Sequence, residues 1–137
     1  MYKELVAEYL DYELPALVAR KCGIKSLPSP AKRNIIYSII GVRRCGKTFH
    51  LFQLMQQLML QGISRSRMLY FPFDDDRLGP PTSDTASYVL EAYFQLVPEA
   101  EEGCYLFFDE IQDIPNWESF IRRAAEQYKT TVVVTGS

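Results

Sequence analysis

Four residues, Gly41, Gly46, Lys47 and Thr48, stand at the spacing G-x-x-x-x-G-K-T within the stretch GVRRCGKT. Each residue type has a physical task if that stretch cradles phosphate. Glycine at 41 lets the chain turn sharply out of a preceding strand, and glycine at 46 lets backbone amides approach an anion with no Cβ in between. Amides from Arg43 to Thr48 would form an anion nest where a helix begins. Lys47 would reach β- and γ-phosphates, and Thr48 would offer its hydroxyl to Mg2+. The candidate contact set is Gly41, Val42, Arg43, Arg44, Cys45, Gly46, Lys47, Thr48 and Phe49. Within it, the Arg43 and Arg44 side chains suit phosphate and solvent equally well, and Cys45 reads as a small filler ahead of a reactive thiol.

A second constellation lies downstream in YLFFDE, where an apolar run ends in Asp109 and Glu110. In open α/β sheets ligands bind outside the carboxyl ends of the strands, which is where these two acids would emerge. Asp109 suits the Mg2+ shell, directly or through water. Glu110 suits the general base that orients and deprotonates an attacking water. A lone Asp-Glu pair would read as solvated acids; the phosphate-loop pattern upstream reverses that preference. Asp74, Asp75 and Asp76 read as a solvated loop from which one carboxylate reaches the metal's outer shell at most. His50 reads as a helix-face residue without a catalytic task.

Positioning these groups requires strands and helices in alternation, and the chain supplies them. Short apolar runs at 35–40, 68–73, 104–110 and 130–137 alternate with helix-length amphipathic segments, the pattern of a parallel sheet with crossover helices. TFHLFQLMQQLMLQG reads as a broadly apolar helix stopping at Gly62. A helix capped by Ser83 or Asp84 runs to Leu96, and another opens at Pro115 and reaches Tyr128. Residues 1–33 differ: a short helix over Tyr2 to Tyr12 leads into YELPALVARK and the proline- and serine-bearing SLPSPAKRN, an irregular lead-in. The division expected is a lead-in at 1–33 and a core at 34–137.

Composition sets outer bounds. At 137 residues, 47% hydrophobic and 23% charged, the chain is an ordinary globular domain able to bury a core. No apolar stretch approaches the roughly 20 residues of a spanning helix, and the acidic N-terminus does not resemble a signal peptide. The expectation is a soluble, cytoplasmic protein without membrane association. Three cysteines, Cys22, Cys45 and Cys104, with a single histidine, argue against a disulfide framework or a zinc site. A net charge of −2 gives no pull toward nucleic acid.

With these residues in hand, the chain resembles the AAA-type P-loop ATPases of the AAA_14 family, found in proteins that often carry a C-terminal DUF4143 region. The resemblance rests on IIGVRRCGKTFHLFQLM, MLYFPFDDDRL, LFFDEIQDIPNWESFIRR and VVVTGS, across residues 34 to 137. The Asp-Glu-Ile-Gln run followed by Trp117 and Glu118 is its most distinctive part. Arg44 replaces the mid-loop glycine of typical AAA modules, and the Gly-x-Arg-Arg form fits this subfamily. The resemblance implies a three-layer α/β sandwich with a mainly parallel sheet ordered 5-1-4-3-2. It also implies ATP at Gly41 to Thr48, Mg2+ at Thr48 and Asp109, and water activation by Glu110. The fourth strand would then lie between the phosphate-loop strand and the acidic strand, placing Thr135 or Ser137 as a γ-phosphate sensor; an ordinary Thr-Gly-Ser turn is the alternative.

A fifth strand, a helical lid and an arginine finger are not found in the sequence, so the chain is expected to be the N-terminal portion of a longer module or a truncated product. A homo-oligomer or protein partner would act through the missing region. The leading functional reading is a Mg2+-dependent ATPase with Lys47 and Glu110 as its working side chains. Its rival is a nucleotide-dependent switch with little turnover, with Trp117 as a contact. A small-molecule kinase fits the adjacent acids less well.

Overall fold

The computed structural model describes residues 2–12, 35–40 and 46–136, without the side chains of residues 35–40 and of Lys47. Met1, residues 13–34, residues 41–45 and Ser137 lie outside the described residues, so the expected lead-in after its first helix, most of the phosphate-binding contacts and the Ser137 sensor candidate do too.

The elements are α1 (Tyr2–Leu10), β1 (Ile35–Ile40), α2 (Lys47–Leu60), β2 (Met68–Pro72), α3 (Thr85–Leu96), β3 (Cys104–Asp109), α4 (Trp117–Gln127) and β4 (Thr130–Gly136). The four strands form one sheet in the order β1-β4-β3-β2, and every pairing is parallel. Because the strands are parallel, their carboxyl ends emerge along a single edge. Ile40 pairs with Gly136, Phe108 with Val134, and Pro72 with Asp109. Pro72 is tolerated because β2 lies at an edge of the sheet, where a missing N–H leaves no ladder bond unmade.

Both faces of the sheet are covered, which explains why the strands read as continuous apolar runs and not as alternating ones. Along β3, Cys104, Leu106 and Phe108 pack into the core built with α1, α3 and α4. The intervening Tyr105 and Phe107 pack into a second core built with Leu51, Phe52, Leu54, Met55 and Leu58 of α2. β2 and β4 divide likewise, Leu69, Phe71, Val132 and Val134 on one side, Met68, Tyr70 and Val133 on the other. The next residue in the second series on β3 is Asp109, which therefore emerges on the face that α2 occupies.

Element ends differ from expectation where local geometry intervenes. α2 ends at Leu60; the Gln61 N–H closes it by donating to the Gln57 and Leu58 carbonyls, and Gly62, at φ 97°, donates its N–H to the Met59 carbonyl. α3 is not capped by the Ser83 or Asp84 side chain: Asp84 is the N-cap residue but makes no side-chain cap bond. The Thr82 hydroxyl instead accepts from the Asp84 N–H at 3.3 Å, and the Thr82 carbonyl accepts from Thr85 N–H at 3.1 Å. α4 opens at Trp117 and not at Pro115, because Asn116 stands in the left-handed region at φ 59°. β3 stops at Asp109, since Glu110 is also left-handed, φ 54° and ψ 50°.

α1 is latched to the sheet by cations. Arg65 donates to the Tyr9 carbonyl at 2.9 Å and to the Met68 carbonyl at 2.7 Å, placing a positive charge at the helix C-terminus where the macrodipole favours it. Arg77 reaches Glu8 of α1 at 2.6 Å and Asp75 at 2.7 Å. Among the described residues, no helix is long and apolar enough to cross a membrane.

Candidate functional site

The carboxyl edge of the sheet gathers Thr48, Tyr70, Asp109, Glu110 and Thr135. Gly46, left-handed at φ 63° and ψ 50°, delivers the chain into α2, whose first bond runs from His50 N–H to the Gly46 carbonyl at 2.9 Å. That helix start has no side-chain cap and no acidic residue in its first turn, so its amides and dipole remain suited to an anion. Thr48 is the second residue of α2, within its first turn, and its hydroxyl donates to Asp109 Oδ2 at 2.7 Å across 61 residues of chain.

Asp109 is only 3% exposed, and a buried carboxylate must be hydrogen-bonded. It accepts from three hydroxyls: Thr48 and Tyr70 on Oδ2, the latter at 3.0 Å, and Thr135 on Oδ1. Tyr70 sits two residues before Pro72, the register partner of Asp109, so its ring reaches along the same face to the acid. Burial, then the neighbouring Asp109 charge, push the Tyr70 phenol far above its ordinary range; it stays a donor at any physiological pH.

Thr135, fully buried, works in both directions. It donates to Asp109 and accepts from the Glu110 N–H at 3.1 Å. That second bond supports the left-handed conformation of Glu110, which costs an L-residue about 1 kcal/mol. The Glu110 carboxylate is partly exposed and accepts from Gln112 Nε2 at 2.8 Å. Asp74 completes the acidic group: burial, then the charges of Asp109 and Glu110, raise its carboxyl above the usual range. Asp75 instead faces away toward Tyr9 and Arg77, accepting from them at 2.6 and 2.7 Å.

The structure thus brings together Thr48, Asp109, Glu110 and Thr135 from the residues singled out in the sequence. Phe49 stands apart from them, 42% exposed, with its ring edge-on to Phe52 at 6.3 Å. His50 is buried and bonded to Gln53, not on an open helix face. Trp117 is half-buried against the core of the α1, α3 and α4 face. Two residues were missed. Tyr70 gave a signal, since an interior tyrosine needs a partner for its hydroxyl; Gln112 lay within the distinctive Asp-Glu-Ile-Gln run without an assigned task.

The donor set fits Mg2+. Thr48 and Asp109 present hard oxygens beside a helix N-terminus. No cluster of three or more acid, histidine or cysteine side chains encloses a metal among the described residues. Two such oxygens suit an ion that keeps most of its waters and binds through one or two protein oxygens plus phosphates.

A parallel sheet covered on both faces, with acids at its carboxyl edge opposite the first turn of the helix that follows β1, defines an α/β module of the P-loop AAA type. The chain belongs to the AAA_14 family of AAA domains, whose model matches residues 33–137. It is similar to an uncharacterized protein of Methanocaldococcus jannaschii, 30% identical over 138 residues that cover 100% of this chain and 28% of the relative. It is also similar to an uncharacterized protein of Haemophilus influenzae, 30% identical over 128 residues, 89% of this chain and 30% of the relative. The chain spans less than a third of the length of either relative. No solved structure matches it.

Proposed function

We propose that this chain is the nucleotide-binding core of a Mg2+-dependent ATPase, converting ATP to ADP and phosphate to drive a conformational or partner-directed process. The observation that carries the reading is the cluster in which Thr48 of α2, Asp109 of β3 and Thr135 of β4 share one buried carboxylate, with Glu110 beside it. In a member of the AAA family, that cluster is what a triphosphate site requires of its protein side. Residues Gly41 to Thr48, with Phe49 adjacent, bind the nucleotide, and Lys47 neutralises its β- and γ-phosphates. Thr48 and Asp109 hold Mg2+, which when bound withdraws charge from the phosphates. Glu110 orients the attacking water and takes its proton. Thr135 reads the γ-phosphate through Asp109 and Glu110, since its hydroxyl is engaged with both; Ser137 stands two residues further on as the second sensor candidate.

The domain division assigns residues 1–33 to a lead-in and 34–137 to the core, and a fifth strand beside β1 would complete the order 5-1-4-3-2. The measurement is Mg-ATP binding and phosphate release by the wild-type chain, Lys47→Ala and Glu110→Gln. Lys47→Ala is expected to lose binding. Glu110→Gln is expected to bind normally while releasing phosphate at least about 100-fold more slowly. Equal release by Glu110→Gln and wild type would remove Glu110 from the base role.

A further inference from the structure

Two residues past Glu110, the chain folds back on it. The 3-10 turn Ile111–Asp113 follows directly from the left-handed Glu110, and this reversal brings Gln112 Nε2 to Glu110 Oε2 at 2.8 Å. The other side of the Gln112 side chain lies against the end of β4. A Cβ at Gly136 would stand 2.9 Å from Gln112 Oε1 and 3.6 Å from Gln112 Cβ. Gly136 is not among the glycines with positive φ, so its backbone makes no conformational demand for glycine. What a side chain at 136 would meet is the far end of Gln112: the amide would have to move to admit it. One residue before Gly136, Thr135 accepts the Glu110 N–H. The tip of β4 therefore meets Glu110 twice, at its backbone through Thr135 and at its carboxylate through Gln112.

We propose that Gln112 is a positioning residue for Glu110, fixing the orientation of its carboxylate and tying that orientation to the position of the β4 tip at Gly136. This rests on the reading of Glu110 as the base of an ATPase. Glu110 projects from the end of a strand into partly open space, where its side chain has several staggered rotamers to choose from. A charge-assisted bond from a neutral amide selects one without adding charge to an already acidic edge. A Cβ added at Gly136 disturbs that selection, because the Gln112 amide oxygen would have to move out of its way.

The test uses Gln112→Ala, Gly136→Ala, the double variant and Gln112→Asn, each checked for folding by thermal melting. Under saturating Mg-ATP, Gln112→Ala is expected to lower kcat about tenfold while the Mg-ATP Kd stays within about twofold, the pattern of lost transition-state positioning. Gly136→Ala is expected to lower kcat comparably in the wild-type background and not at all in Gln112→Ala. A merely structural pair would instead add its effects and weaken binding or melting with them. Gln112→Asn, too short to reach, is expected to behave as Gln112→Ala. An unchanged kcat in Gln112→Ala, or additive effects in the double variant, overturns the proposal. Absence of phosphate release from the wild type would fall on the ATPase reading, and NMR then decides the contact itself. The Gln112 side-chain amide signal, assigned by its loss in Gln112→Ala, must move in both Glu110→Ala and Gly136→Ala; a signal that stays put in either overturns the coupling.

Discussion

Thr135 shows how much one hydroxyl can organise. Its single proton goes to Asp109 and a lone pair takes the Glu110 N–H, so both acids at the edge of the sheet depend on one side chain. Thr135→Val keeps the shape and removes both bonds, leaving a buried carboxylate oxygen and an amide unmet, at a cost of about 3 kcal/mol in unfolding free energy. Thr135→Ser is expected to recover most of that loss; denaturant unfolding of the two variants checks it, and equal stability of valine and wild type would contradict the assigned bonds. In the sequence, Thr135 stood out only as the polar tip of a strand. Which groups its hydroxyl meets depends on the β3–β4 register, and that is decided by tertiary pairing. Gln112 was hidden for a local reason: its partner, Glu110, is near in sequence, but the left-handed turn that brings them together leaves no compositional trace.

The strands and the long helix were legible because burial on both faces writes them as unbroken apolar runs between turn residues. Their ends were less so. Asp84 stands at the N-cap of α3 as expected but without a side-chain cap bond, and α4 starts after a left-handed Asn116, details on which polar residues rank nearly equally by propensity. The latch on α1 was not legible at all. Arg65 lies 56 residues from Tyr9, and its two bonds to backbone carbonyls leave no sequence pattern. That latch matters to the site, because the Tyr9 ring packs edge-on against Tyr70 at 5.9 Å, and Tyr70 holds Asp109. Arg65→Ala removes two charge-assisted bonds from a half-buried position and is expected to cost about 2 kcal/mol. Hydrogen exchange should show the loss first in the α1 amides, with β3 and β4 protected until global unfolding.

Taken together, the chain carries the sheet, its two cores and the acid cluster of an AAA-family domain within a span that is less than a third of its relatives. One contribution to its acid response comes from the loop between β2 and α3. Arg77 beside Asp75, with the Tyr9 hydroxyl, holds that carboxyl well below its usual range, so the folded value lies under the unfolded one of about 3.9. The stabilisation is therefore complete above about pH 4 and is lost as pH falls toward the folded value. Thermal melts of Asp75→Asn and wild type should differ by a constant amount from neutrality down to that point and converge below it. A gap that stays constant into strong acid would refute the ion pair's role. The two-sided sheet has a further bearing on how such a sequence can change. Because alternate positions along β3 feed opposite cores, the six residues from Cys104 to Asp109 act as a ruler with parity. Apolar exchanges within it are absorbed by packing, but gaining or losing one residue would swing the carboxylate to the far face, away from Thr48. The number of residues before the acid is thus under a stricter physical constraint than their identity.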